Sequence, residues 1–177
     1  MKHAYIPSLI VSLIVIAAVA SAQQAAIPTQ VHDHAAAGHT HDQHLAEVNT
    51  RGDQVMGFDH TKTTHHFRLT RDGGIIEVEA NEPKDTASRD QIRQHLGHIA
   101  RLFANGDFTA PMLIHAQTPP GAPLMKRMKA DIHYRFEETE RGGRVRIRTG
   151  NRYALAAIHE FLRFQIEDHA TGDSGTV

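Results

Sequence analysis

The chain has no cysteine and no tryptophan, and only 3 tyrosines and 7 phenylalanines among its 177 residues. Without cysteine it can form no disulfide, no thiolate zinc centre, no iron–sulfur cluster and no haem attached through a CxxCH pair. Neither sign of charge prevails: 19 Lys+Arg face 20 Asp+Glu, a net charge of −1. Such a balance sets up no overall field toward nucleic acid or an anionic membrane, and neither partner is expected. Long apolar runs are missing beyond residue 22, so no membrane span is expected in the mature chain. Also absent are a phosphate-binding glycine loop, a nucleophile motif and paired carboxylates at a recognisable catalytic spacing.

What the chain does have is histidine, 15 residues of it. Imidazole is the side chain that binds borderline transition metals when thiolates are lacking. The compartment follows from the first 22 residues. Lys2 and His3 form a short charged head, residues 6–20 are almost wholly apolar, and Ala20-Ser21-Ala22 is an A-x-A cleavage site followed by Gln23-Gln24. That order predicts a secretory signal peptide over 1–22 and a periplasmic or secreted mature protein.

Residues 23–51 read as a disordered, His-rich tail. The stretch lacks aromatic residues and has few apolar ones larger than alanine, so it buries too little to offset chain entropy. It carries His32-Asp33-His34, His39-Thr40-His41 and His44. Two H-x-H pairs and one further imidazole suit ion capture at moderate affinity, because without a fold the metal must order its own ligands.

A single α+β domain is expected over 52–170, with 171–177 disordered. Residues 62–69 and 75–80 alternate in strand fashion around Arg71-Asp72-Gly73-Gly74, which reads as a hairpin turn. Asp85 to Ser88 offers helix caps, and a helix should run to about Ala104, closed by Asn105-Gly106. Residues 105–129, with Pro111, Pro119, Pro120 and Pro123, read as a loop with one helical turn over 124–129. The pattern then returns: alternation at 132–137 and 144–149 around Gly142-Gly143, and a second helix capped by Asn151 and running to about Asp168. His66-Phe67-Arg68-Leu69 resembles His133-Tyr134-Arg135-Phe136. The expectation is a two-layer sandwich, a duplicated ββα–ββα with a four-stranded antiparallel sheet covered by two helices on one face.

Helical periodicity puts His95 beside the buried stripe Ile92, Leu96, Ile99, Phe103, and His98 on the same flank, a spacing suited to chelation. Strand alternation turns His65 toward the helices, and His66 and His133 toward the opposite face. His65, His95 and His98, joined by His60 from the preceding loop, are therefore the expected internal site, suited to Zn²⁺ or Cu²⁺. His159-Glu160 is no zinc-protease motif, because position 163 is arginine. His169 is expected to place a positive imidazole at the last carbonyls of its helix. Met112, His115, Met125 and Met128 in the proline-rich stretch either favour copper or pack on the core.

The resulting reading is an exported, histidine-rich protein that binds copper or zinc for buffering, delivery or resistance. It carries His32, His34, His39, His41 and His44 on the tail, and His60, His65, His95 and His98 in the domain. Noncovalent haem between two histidines is a narrower variant. The alternatives are a small metal-dependent enzyme using the histidine cluster, and a non-metal adaptor docking an envelope protein through the arginines of the open sheet face.

Overall fold

The computed structural model describes residues 34–177. The expected signal peptide, the first part of the expected tail and His32 lie outside the described residues. The chain begins with helix α1 (His34–Met56), passes a 3-10 turn at His60–Lys62, and enters the hairpin β1 (Thr63–Thr70) and β2 (Gly73–Ala80). Helices α2 (Thr86–Ala104), α3 (Thr109–His115) and α4 (Ala122–Arg127) follow, then β3 (Ile132–Glu138), β4 (Gly142–Thr149) and α5 (Arg152–Asp168). The protein is α+β with one four-stranded antiparallel sheet in the order β1-β2-β4-β3. Among the described residues five α-helices accompany it rather than the two expected.

The alternation read from the sequence is realised in the strands. Phe67, Leu69, Ile76, Val78, Val145 and Ile147 point to one face and are buried there against Ile92, Leu96, Ile99 and Phe103 of α2 and Ile158, Phe161 and Leu162 of α5. Each such side chain contributes about 1.5–3 kcal/mol on full burial. α2 lies mainly over β3 and β4, and α5 mainly over β1 and β2. Capping follows the sequence. The Asp85 carboxylate accepts from the Ser88 amide at the start of α2, and Asn151 Oδ1 accepts from the Tyr153 and Ala154 amides at the start of α5.

The two glycine pairs belong to the strands, not to the turns. A Cβ on Gly73 would fall 2.0 Å from the Ile147 carbonyl oxygen, and one on Gly142 would fall 2.1 Å from that of Val78. Glycine is what lets the two central strands, β2 and β4, approach at either end of their pairing.

Three expectations need correction. Residues 34–51 were expected to be disordered, yet they belong to α1. Val48 is fully buried, Arg51 Nε donates to the Ile114 carbonyl at 2.7 Å, and His44 Nε2 donates to Asp168 at 2.8 Å. A weak apolar stripe is enough when tertiary bonds fasten the helix. Residues 105–129 are largely helical, since Phe108, Ile114 and Met125 are buried and give α3 and α4 a core to rest on. The terminal residues 171–177 are anchored: Asp173 accepts from the Phe67 amide at 2.9 Å and from His66 Nδ1 at 3.0 Å, and Arg163 Nε donates to the Gly175 carbonyl at 2.8 Å.

The other sheet face is a charge ladder. Arg68 pairs with Glu77 at 2.8 Å, Arg144 with Glu137 at 2.8 Å and Arg148 with Asp72 at 2.8 Å. Among the described residues no helix is long and apolar enough to cross a membrane.

Candidate metal-binding cavity

Between α1, the sheet and the two long helices lies a cavity of about 60 Å³. That is room for a few water molecules or an ion. Its polar lining comes from His65 on β1, His95 on α2, and Gln165 and His169 at the end of α5; Met56, the last residue of α1, completes the rim. The remaining wall is hydrocarbon, chiefly Phe67, Phe103, Ile114 and Phe161.

Strand alternation turns His65 inward, as its sequence position predicts. Its ring stacks on Phe58 at 5.8 Å between centroids and lies parallel to His169 at 5.7 Å. Phe58 also meets the His95 ring edge-on at 5.6 Å. The stacking fixes ring planes without using ring nitrogens. Among the described residues, no hydrogen bond engages the ring nitrogens of His65, His95 or His169. Two buried atoms on this lining have no partner at all: His65 Nε2 and Gln165 Nε2. Orphaned buried polar atoms are costly, about 1–3 kcal/mol each, so a pair of them on one cavity marks a place for a polar guest.

The environment keeps these imidazoles neutral. Burial first, then the neighbouring His95 and His66, hold the His65 pKa down at about 4. Burial and then His98 hold His95 at about 4. Burial, followed by His65 and His115, pushes His169 to about 3, against the opposing pull of Asp168. A neutral imidazole is the metal-binding form. His169 thus differs from expectation. Its backbone N–H caps α5 on the Gln165 carbonyl, but its ring turns into the core, uncharged, rather than toward the helix end.

The sequence-predicted site residues divide. His65 and His95 share the cavity. His98 is exposed and lies on the outer side of His95, in a surface recess with Gln91, Gln94 and Arg101. His60 lines a separate recess on the other side, together with His65, His169 and Met56. The expected quartet of His60, His65, His95 and His98 therefore does not converge on one point: His60 and His98 open into different recesses, and only His65 and His95 line the cavity.

Among the described residues, three carboxylate or imidazole donors come within 4.8 Å of one another only at Asp53, Asp59 and His60. Local bonds account for that group. Asp53 accepts from the His60 amide at 2.8 Å and from its Nδ1 at 2.9 Å, and Asp59 caps the 3-10 turn on Thr61.

His34 and His39 sit in the first turns of α1, with side chains outside the described part. His41 is exposed. His44 is committed to Asp168. The same carboxylate accepts from buried His115 Nδ1 at 2.5 Å, while His115 Nε2 lies 3.0 Å from Gln165 Oε1. Burial opposes the Asp168 charge, but the bonds from His115 and His44 outweigh it and hold its pKa below the usual carboxylate range. Met125 is fully buried in the core, and Met112 is exposed.

Sequence reasoning missed Met56, Gln165 and His169 as cavity residues. Met56 closes a helix that was not expected to exist. The one signal that could have found the others is spacing: Gln165 and His169 are four apart, one helical turn, on the flank of the α5 stripe.

Comparison with known proteins adds no relative: no family model, no curated protein and no solved structure matches this chain.

Proposed function

We propose that this is an exported, histidine-rich protein that binds a transition-metal ion, copper or zinc, and buffers or delivers it in the periplasm or outside the cell. Export rests on the signal-like residues 1–22. The strongest support for binding is the cavity where the neutral rings of His65, His95 and His169 meet, with two orphaned polar atoms on its wall. His32, His34, His39 and His41 would collect ions ahead of the cavity. His44 is the weakest of the tail candidates, because its Nε2 is already bonded to Asp168.

The adaptor reading is less favoured, since the arginines of the open sheet face are largely paired with carboxylates of the same face. An enzyme reading gains nothing from the His115–Asp168 pair, whose imidazole is buried with both nitrogens facing oxygens. A noncovalent haem fits poorly, as a porphyrin would have to open the core around a cavity of about 60 Å³.

We read the domain, further, as a duplicated ββα unit in which each long helix covers the other unit's hairpin. The strand registers support this. Thr63 pairs with Ala80 in one hairpin as Ile132 pairs with Thr149 in the other, and the central pair Gly73–Arg148 has its counterpart in Gly142–Glu79. This register matches Phe67 with Phe136, not with Tyr134 as the sequence resemblance suggests.

Calorimetric titration of the metal-free full chain with Cu²⁺ and Zn²⁺ tests the function. A saturable event is expected that weakens in His65→Ala and His95→Ala variants of unchanged far-UV circular dichroism. No binding tighter than about millimolar by any form would overturn the reading.

A further inference from the structure

We infer that the ion of the folded domain is copper(I), held by the thioether of Met56 together with imidazoles of the His65, His95 and His169 set. This rests on the metal-binding reading above and specifies its ion.

The donor set is soft and uncharged. Met56 is the one residue that lines the cavity and both flanking recesses, the one holding His60 and the one holding His98. No carboxylate lines the cavity. Asp168, the chain neighbour of His169, is taken up by His115 and His44. Thioether sulfur selects copper(I) and imidazole accommodates it, whereas carboxylate and water suit harder ions. Charge points the same way. Desolvation cost grows with the square of the charge, so a divalent ion in a hydrocarbon-walled cavity without an anionic ligand loses several-fold more than a monovalent one.

Coordination number completes the case. Three imidazole nitrogens do not come within 4.8 Å of each other here. His65 and His169 stand parallel, 5.7 Å apart. Such an arrangement does not present a ready tetrahedral imidazole site for zinc. A low-coordinate copper(I) needs only two imidazoles and the thioether, gathered by side-chain rotation around a flexible methionine. Gln165, only 4 % exposed and with its Nε2 unpartnered, also lines the cavity. It is placed to orient a ligand imidazole or to donate to a small exogenous ligand on the ion.

The test uses the full chain without oxygen. Copper(I) is titrated against bicinchoninate as competitor, zinc(II) is titrated separately, and X-ray absorption is recorded at the copper edge. Residues 23–50 contain neither methionine nor cysteine, so a sulfur shell around bound copper comes from the folded domain. Loss of outer-shell partners alone weakens metal sites by about 10–100-fold, so Met56→Leu should weaken copper(I) by at least about tenfold. It should also abolish the sulfur shell and leave zinc(II) within about twofold. Should Met56→Leu fail to fold, methyl-labelled methionine NMR on the wild type replaces it. In the chain without residues 1–22, the Met56 methyl, assigned by elimination with Met112→Leu, Met125→Leu and Met128→Leu, should shift with the first equivalent of copper(I). Copper held by nitrogen alone and indifferent to Met56, or a silent Met56 methyl, would overturn this inference and leave metal binding standing. Absence of both copper and zinc binding would remove the metal reading itself.

Discussion

Arg93 and His159 hold opposite ends of the sheet by the same device. Arg93 on α2 donates from Nε to the Gly142 carbonyl at 3.0 Å and from Nη2 to the Thr139 carbonyl at 2.6 Å. His159 on α5 donates from Nε2 to the Gly73 carbonyl at 3.0 Å and the Thr70 carbonyl at 2.9 Å. In each hairpin these are the two carbonyls that flank the turn, and in each case the clamping helix belongs to the other half of the chain.

Removing either clamp strands two carbonyls at a hairpin end. Arg93→Ala should cost about 2–3 kcal/mol and His159→Ala about 1–2 kcal/mol, the guanidinium bonds being charge-assisted. Arg93 also pairs with Glu138 at 2.9 Å, which widens the gap slightly. Urea midpoints at constant m-value would show it. Equal midpoints for wild type and both variants would mean the clamps are idle.

Folding stability should fall in mild acid. Burial holds the folded-state pKa values of His65, His95 and His169 at about 4, 4 and 3, below the ordinary 6.5 of histidine. Between about pH 6.5 and 4 the unfolded chain binds protons that the folded chain refuses. Stability therefore rises with pH across that window, and each histidine contributes a slope of up to about 1.4 kcal/mol per pH unit. The loss is complete below the folded values. Thermal unfolding from pH 7.5 to 4 checks this. His169→Phe keeps the stacked ring and should flatten the slope.

Asp168 ties three elements together: α1 through His44, α3 through His115, and its own helix. Its side chain is 11 % exposed. Asp168→Asn removes the charge that two imidazoles share, and should cost about 3 kcal/mol or more, as expected for one side of a buried pair. His44→Ala, at a 40 % exposed side chain, should cost only about 1 kcal/mol. Limited proteolysis within residues 34–50 should speed up in both variants. Unchanged cleavage would show that α1 is held by other means.

At the two ends of the β2–β4 pairing, Gly73→Ala and Gly142→Ala should each destabilise by more than about 2 kcal/mol, because the added methyl meets a backbone oxygen that cannot rotate away. Gly150→Ala, with nothing within 4 Å, is the control and should be near neutral.

The sheet and the two long helices were legible in the sequence because their signals are local. Period-two alternation marks Phe67 and Leu69, or Val145 and Ile147, and side-chain caps mark Asp85 and Asn151. Helix α1 was not legible. Its stability comes from Val48, Arg51 and His44 meeting residues far along the chain, and no local pattern reports that. The cavity was half legible. Alternation and helical periodicity correctly turned His65 and His95 inward. The same reasoning could not show that His60 and His98 would open into two separate recesses on either side of the cavity, or that the α5 terminus would fold His169 back over the His65 ring.

The bond between Asp173 and the Phe67 amide has a consequence for assembly. An incoming β-strand from another molecule would need that outward-facing amide, and the chain's own tail already occupies it. Growth by edge pairing is thereby confined to the β3 margin. Two copies could join there about a dyad, but a third would find no margin left to extend, so the fold resists stacking into a continuous fibre.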